Sequence, residues 1–144
     1  MKKQSLLLIA GLALMTSACA NLCEDGCGAT PCKKGEVVFT ATPALFGFNS
    51  AKLSADDEAY LKDAAGRLND EVNKDVTVTA NGYASMEGPA SYNVDLSKRR
   101  AQAVKNYLVD KGVAADRVSV KGNGATDKFG PAYTDNRRVE VVVD

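Results

Sequence analysis

The order of the hydrophobic patterns is the feature that most constrains the fold of this chain. Four short runs are apolar and β-prone: "ALFGF" (44–48), "VTVTA" (76–80), "RVSVKG" (117–122) and "NRRVEVVVD" (136–144). Between the first three lie two longer stretches with the period of an amphipathic helix. The order strand, helix, strand, helix, strand, strand predicts an α/β (α+β sandwich) fold, in which two helices pack on one mixed sheet.

Cap residues mark the ends of the two predicted helices. Ser54 is a good N-cap for the first helix, and Asp57 three residues later makes a near capping box. The second helix is expected to begin near Pro89, which suits a first helical turn, and to end at Gly112. The apolar face of the first helix is predicted to comprise Leu61, Ala64, Ala65, Leu68 and Val72.

One charged residue of the second helix is predicted to point toward the sheet. At about 100° per residue, Arg100 falls roughly 40° from Leu96, in the middle of the apolar face, whereas Arg99 falls at its edge. Tyr92 and Tyr107 share this face and are predicted to be core residues. A buried guanidinium without a partner is costly, so Arg100 must meet an anion. That anion is either a ligand carboxylate held through two hydrogen bonds or an acid of the chain itself.

The last β-prone run also carries two adjacent arginines. Val139 lies on one face of the predicted strand, and Arg138 and Glu140 share the other. Arg137 and Arg138 are predicted to brace the fold, with Arg137 near the inner face of the sheet.

Several motifs resemble a known family in both order and spacing. "FGFNSAKL", "GYASMEGPASYNVDLSKRRAQAVKNYLVDKGV", "VKGNG" and "NRRVEV" resemble the OmpA-like C-terminal domain, which OmpA, the peptidoglycan-associated lipoprotein Pal and MotB share. The resemblance implies a β-α-β-α-β-β domain over residues 36–144. It also implies a non-catalytic function, the non-covalent binding of the peptidoglycan stem peptide, often at meso-diaminopimelate.

The resemblance assigns roles to individual residues of this sequence. Arg100 matches the family arginine that binds a ligand carboxylate, and Asn93 matches an asparagine near the same pocket. Phe48, Asn49 and Ser50 match the turn after the first strand, which lines the pocket wall.

One position departs from the family pattern. The family has an aspartate that binds the ammonium group of the ligand, and Ser85 stands at the matching position. Three outcomes follow. Ser85 accepts a hydrogen bond and binding is altered, or Glu87 supplies the missing carboxylate, or Glu87 pairs with Arg100 and closes the site. The last outcome would leave a structural or protein-interaction subunit that has lost standard diaminopimelate binding.

The N-terminus has the pattern of a secretory signal. "MKKQSLLLIAGLALMTSAC" has a basic start and an apolar run too short to span a bilayer comfortably. Small residues before Cys19 resemble a bacterial lipobox, which predicts a lipoprotein signal peptide over residues 1–18 and lipidation of Cys19. Ala20 after the cysteine resembles the outer-membrane sorting class. Cleavage near Ala20 to give a soluble secreted protein is the alternative.

Residues 19–35 are predicted to be a tether between the lipidated cysteine and the domain. Their sequence is rich in Gly, Pro and Ala and has neither a helical nor a strand period. Cys23, Cys27 and Cys32 in an exported protein predict one disulfide and one remaining thiol, with the pairing left open. A metal site in this stretch is the less favoured alternative, because the chain has no His and no paired C-x-x-C motif.

Charge and composition exclude several classes of function. Lys and Arg together number 18, as do Asp and Glu, so no basic field indicates nucleic acid as a partner. The absence of His argues against a His-dependent enzyme. No cofactor and no metal are predicted. The expected partners are peptidoglycan, the outer membrane through the lipid anchor, and other envelope proteins. The expected location is the periplasmic face of the outer membrane.

Overall fold

The computed structural model describes residues 43–144. The signal segment, Cys19 and the tether with its three cysteines therefore lie outside the described residues. Within the described part, two long helices and four strands alternate along the chain. Their bounds are β1 Ala44–Leu45, α1 Ala55–Asn69, β2 Val78–Ala84, α2 Ala90–Asp110, β3 Val118–Ala125 and β4 Arg138–Val143, with a one-turn helix α3 at Tyr133–Asn136 and a 3₁₀ turn at Ala115–Arg117.

The four strands form one mixed sheet in the order β1-β4-β2-β3. Strands β2 and β3 are parallel, with Val78 opposite Val118, and α2 connects them. Strand β4 lies between β1 and β2 and is antiparallel to both. The predicted α/β order and the mixed sheet with two main helices are therefore confirmed.

The core lies between the sheet and the two helices. Helix α2 packs on β2 and β3, and α1 packs against α2. The largest fully buried apolar side chains are Leu61, Leu68, Val78, Val104, Leu108, Val113, Val118 and Val139. They come from both helices, from three of the strands and from the loop after α2, so a single cluster joins all layers.

The predicted cap at the start of α1 is present. The Asp57 amide donates to Ser54 Oγ at 3.2 Å, and the Ser54 amide donates to Asp57 Oδ2 at 3.1 Å. Asp57 Oδ1 also accepts the Leu45 amide at 3.1 Å. The capping box therefore joins α1 to β1 as well as satisfying the first amides of the helix.

Glycines let α2 approach the sheet closely. A Cβ atom at Gly82 would lie 2.0 Å from the carbonyl oxygen of Ser97, and one at Gly122 would lie 2.9 Å from the backbone nitrogen of Lys98. Ser97 is fully buried, and its Oγ accepts the Gly124 amide at 2.9 Å. The N-terminal half of α2, which carries Arg100, is thus fixed directly on β2 and β3.

Two sequence predictions are wrong at the ends of elements. Val72 is exposed rather than part of the α1 face, because α1 ends at Asn69. The carbonyl of Leu68 there accepts a hydrogen bond from Arg117 at 3.0 Å. Strand β1 covers two residues rather than 44–48, because the chain turns away from the sheet after Phe46.

A third prediction is wrong at the start of α2. Tyr92 was predicted to be a core residue, but it is 40% exposed. The first turn of α2 extends past the core, and Tyr92 lines an open cavity there. Tyr107, nearer the middle of the sheet, is partly buried against the core as predicted.

Candidate functional site

A cavity of about 190 Å³ opens where α2 begins. Its walls come from the turn after β1, the loop after β2, the first turns of α2 and the residue before β4. The lining residues are Phe48, Asn49, Ser85, Glu87, Gly88, Pro89, Tyr92, Asn93, Leu96, Arg100 and Arg137. Six of the seven predicted site residues are therefore brought together here. The seventh, Ser50, touches Arg100 through its backbone. We call this space the Arg100 cavity.

Arg100 is fully buried, as its position on the helix predicted. Its Nε donates to the carbonyl of Ser50 at 2.8 Å, its Nη1 to that of Tyr83 at 3.0 Å, and its Nη2 to that of Gly47 at 3.0 Å. The guanidinium carbon also lies 5.5 Å from the centre of the Phe46 ring. Three carbonyls thus hold the side chain, and one N–H on each terminal nitrogen remains for another acceptor.

The charge of Arg100 has no carboxylate partner among residues 43–144. The ion pairs of the described residues join other side chains. Burial lowers the pKa of Arg100 to about 10, and the nearby positive charge of Arg137 adds to the effect. Arg100 therefore remains charged at neutral pH in a site that already disfavours its charge, which is an arrangement that a bound anion would stabilise.

Glu87 pairs with Arg137 and not with Arg100. Its Oε2 lies 3.4 Å from Arg137 Nη1 and accepts a hydrogen bond from Ser85 Oγ at 2.8 Å. Arg137 also donates from Nε to the carbonyl of Phe46 at 3.2 Å. The closure of the site by a Glu87–Arg100 salt bridge, one of the three alternatives, is therefore not what the structure has.

Arg137 lines the cavity, although the sequence predicted only a structural role for it. It lies directly before β4 and its side chain is 14% exposed. The signal for it was the strand alternation, which puts Arg137 on the same face as Val139 and opposite to Arg138. Arg138 does act as a brace, because its guanidinium carbon lies 4.1 Å from the centre of the Phe129 ring.

Asn93 holds the loop after β2 on the start of α2. It is 2% exposed, and its Nδ2 donates to the carbonyl of Glu87 at 3.0 Å. Because that bond fixes which end of the amide is the donor, Oδ1 remains an acceptor.

A polar contact joins two walls of the cavity, and exposed apolar side chains lie on the loops that line it. The Tyr92 hydroxyl donates to Asn49 Oδ1, and Asn49 adopts a left-handed backbone conformation, with φ of 51°. Phe48 is 70% exposed and Met86, in the loop after β2, is 57% exposed. Charged side chains thus line the cavity, and two exposed apolar side chains lie on its loops.

The described residues offer neither a metal site nor a membrane span. No group of three or more acidic or cysteine side chains within residues 43–144 is arranged to hold a metal ion. No helix in this range is both long and apolar enough to cross a membrane.

The fold and this cavity define a class of protein: a small α/β domain that carries a buried, uncompensated arginine beside an open pocket. The OmpA family model matches residues 45–141, and the chain belongs to that family. Domains of this family are non-catalytic and belong to the cell envelope, in agreement with the prediction that the chain is not an enzyme.

Curated relatives match most of the chain. Outer membrane protein A of Escherichia fergusonii is 38% identical over 92 residues, which cover 64% of this chain and 38% of that protein. The peptidoglycan-binding protein ArfA of Mycobacterium bovis is 36% identical over 110 residues, which cover 73% of this chain and 33% of that protein. The chain thus spans well under half the length of either relative.

Solved structures share the fold. The peptidoglycan-associated lipoprotein from Burkholderia pseudomallei superposes with a TM-score of 0.64 at 23% identity, over 71% of this chain and 89% of that one. The OmpA-like domain of FopA1 from Francisella tularensis gives a TM-score of 0.62 at 29% identity, over 70% of each chain.

Proposed function

We propose that the domain binds peptidoglycan non-covalently, by holding a carboxylate of the stem peptide on Arg100. The single observation that carries this proposal is the state of the guanidinium. It is fully buried, bonded only to carbonyls among the described residues, and adjacent to a cavity of about 190 Å³. A carboxylate would use the two remaining N–H groups and supply the missing negative charge.

The other predicted site residues have supporting roles in this proposal. Ser50 contributes a carbonyl that orients Arg100, and Phe48 and Asn49 form the wall above it. Asn93 keeps the loop that carries Ser85 and Glu87 in place. The name of the Mycobacterium bovis relative, a peptidoglycan-binding protein, supports the same choice of ligand.

We further propose a lipoprotein that joins the outer membrane to the cell wall, as in a Pal-like protein. Residues 1–18 would be the signal peptide, Cys19 the lipidated residue and residues 19–35 the tether. Because each buried methylene of an acyl chain contributes about 0.8 kcal/mol, several chains on one cysteine give a stable anchor. The support is the sequence pattern before Cys19. A Cys19→Ser variant is expected to leave the membrane fraction, and its retention there would contradict the anchor.

Sedimentation with isolated, protein-free sacculi tests the binding proposal. The wild type is expected to sediment with the sacculi, and Arg100→Ala is expected to remain in the supernatant. Arg99→Ala is the matched control, because Arg99 is the exposed neighbour on the same helix. Sedimentation of a folded Arg100→Ala protein at the wild-type level would reject the pocket.

Arg100 also holds the turn after β1 on β2, so a loss of binding needs a check on folding. Circular dichroism and thermal unfolding of each variant supply it. Competition by a soluble stem peptide supplies a test that involves no substitution. The soluble peptide is expected to release the wild-type protein from the sacculi, and failure to do so would contradict recognition of the stem peptide.

A protein-interaction subunit is the second candidate. The observation that favours it is a pair of exposed apolar side chains on two loops of the cavity wall, Phe48 at 70% and Met86 at 57% exposure. Capture of the domain by whole envelopes but not by protein-free sacculi would favour this candidate over peptidoglycan binding.

A further inference from the structure

One edge of strand β4 has a partner strand over only part of its length. β4 lies between β1 and β2, but β1 pairs with only two of its residues, Arg138 and Val139. No strand within residues 43–144 lies beside Val141 or Val143 on the β1 side. We propose that residues 37–42 of the chain itself, directly before β1, pair antiparallel with this edge of β4 and so extend β1.

The backbone groups of β4 point alternately to its two neighbours. The Asp144 amide donates to the Thr77 carbonyl at 3.0 Å, so Asp144 faces the β2 side. Because the direction alternates along a strand, the backbone groups of Val143 and Val141 face the β1 side. Both residues are partly buried against the core. Their two N–H and two C=O groups thus form a row, at a partly apolar edge, with which another strand can pair.

The contacts of β1 show which residues of an extended strand face β4. The Phe46 amide donates to the Arg137 carbonyl at 2.8 Å. The Leu45 amide donates instead to Asp57 Oδ1 of α1, at 3.1 Å. By the alternation of a strand, even-numbered residues of β1 therefore face β4 and odd-numbered residues face away from it.

The register of β1 on β4 determines the further pairs. Ala44 lies opposite Val139. Two residues earlier in one strand and two later in the other, Thr42 falls opposite Val141. The same step places Thr40 opposite the last residue of β4. Both threonines are even-numbered, so their backbone groups face the groups of β4 that have no strand partner among residues 43–144.

The sequence of the segment is suited to an edge strand. "VVFTAT" (37–42) consists of β-branched residues, one aromatic residue and one alanine. Pro43 follows it, and proline fits a strand only where its missing N–H would not join the ladder. Pro43 is odd-numbered like Leu45, so its nitrogen faces away from β4 and no ladder bond is lost.

A second copy of the chain is the competing occupant of this edge. The chain's own segment is favoured because it is joined through Pro43 to Ala44, the residue at which the pairing with β4 stops. Its effective concentration beside the edge is therefore high, of the order of millimolar for a short flexible connection.

The pairing determines where the preceding chain joins the domain. β1 runs toward the Arg100 cavity, because the turn after β1 forms part of the cavity wall. Residues 37–42, extended along β4, span about 20 Å in the opposite direction. In the lipoprotein proposed above, the lipid anchor and the wall ligand are then attached at opposite ends of the sheet. This consequence rests on the proposed function, whereas the pairing itself does not.

Native-state hydrogen exchange tests the pairing without a ligand. NMR on the full chain measures the exchange rates of the Val141, Val142 and Val143 amides. Val142 faces β2 opposite Thr79 and is the internal reference for a paired residue. Val141 and Val143 are expected to exchange within about tenfold of the Val142 rate. An alternating pattern, in which Val142 is protected and both neighbours exchange at the rate of an unstructured peptide, would overturn the proposal.

Two proline variants test the register. Thr40→Pro removes an N–H that faces the Val143 carbonyl, and it is expected to speed exchange of the Val143 amide by about tenfold or more. Ala41→Pro is the matched control, because residue 41 is odd-numbered like Pro43, and it is expected to leave that rate unchanged. Equal exchange rates of the Val143 amide in the two variants would reject the register.

Dilution separates the chain's own segment from a second copy. Pairing within one chain gives exchange rates at Val141 and Val143 that are independent of protein concentration. Protection that disappears on dilution would assign the edge to a second copy and overturn the proposal. None of these measurements involves peptidoglycan, so their failure would leave the proposed function standing.

Discussion

Two arginines of the described residues are held in almost the same way, and one of them, Arg100, lines a cavity. Arg100 donates to three backbone carbonyls from the turn after β1 and from β2. Arg117 also donates to three carbonyls, those of Leu68, Asn73 and Val76, at 2.7–3.0 Å. Each therefore links a loop to a regular element: Arg100 links the turn after β1 to β2, and Arg117 links the loop after α1 to the end of α1.

The two arginines differ in which of their N–H groups remain without a carbonyl partner. On Arg117, Nη2 makes two of the bonds and Nη1 makes none, and the residue is half-buried at the end of a loop. On Arg100, one N–H remains on each terminal nitrogen, and two N–H groups are what bidentate binding of a carboxylate uses. Hydrogen bonds to backbone carbonyls by themselves therefore indicate a structural role for an arginine. The adjoining cavity is what distinguishes Arg100 as the proposed binding residue.

The largest expected effect comes from replacing each arginine with methionine, which keeps the length and removes the donors. Arg100→Met and Arg117→Met are both expected to lower the free energy of unfolding by about 2–4 kcal/mol, because buried carbonyls lose their partners. Only Arg100→Met is expected to lose stem-peptide affinity, by about a hundredfold for two charge-assisted hydrogen bonds. Urea unfolding and calorimetric titration measure the two quantities.

The measurements of stability and of affinity in this experiment test two separate claims. Equal loss of affinity in the two folded variants would mean that the carbonyl clamp, and not the spare N–H groups, matters for binding. An unchanged stability of Arg117→Met would remove the structural half of the comparison.

Local patterns were enough to predict the fold and the burial of Arg100. Ser54 caps α1, and Gly112 has a φ of 97° directly after α2, so the signals at these helix ends were correct. The position of Arg100 followed from the helical period, which depends only on residues one or two turns away.

The partners of Arg100 could not be predicted in the same way. They are the backbone carbonyls of Gly47, Ser50 and Tyr83. Because every residue has a backbone carbonyl, the residue types in the sequence do not indicate which carbonyls will accept these bonds. They converge because the turn after β1 includes Asn49 in the left-handed region, which tertiary contacts select. The predicted end of α1 was wrong for the same reason. The Leu68 carbonyl at that end bonds to Arg117, which is 49 residues away in sequence.

A smaller effect is expected from pH. Burial lowers the pKa of Arg100 to about 10, so the free site loses its charge as the pH rises above that value. Affinity for a synthetic stem peptide whose side-chain amine is acetylated, so that it has no ammonium to titrate, is expected to be constant below pH about 9 and to fall toward tenfold per unit above about 10. In titrations of Arg99→Ala across this range the fall is expected at a slightly higher pH, because the charge of Arg99 also lowers the pKa of Arg100. A flat profile would mean that Arg100 does not hold the carboxylate.

The smallest expected effect concerns how a ligand reaches Arg100. The guanidinium has no accessible surface, and the Tyr92–Asn49 hydrogen bond joins two lining residues of its cavity, one from α2 and one from the turn after β1, so we expect a ligand to displace that contact. Tyr92→Phe removes the hydroxyl and is expected to change the free energy of unfolding by no more than about 1 kcal/mol. The association rate of the stem peptide is expected to rise, by up to about fivefold, because the same contact no longer has to break. Tyr107→Phe, on the same helix but away from the cavity, is expected to leave the rate unchanged in stopped-flow measurements. An unchanged rate in Tyr92→Phe would mean that ligands enter between Phe48 and Glu87 instead, with Arg100 still the residue that receives them.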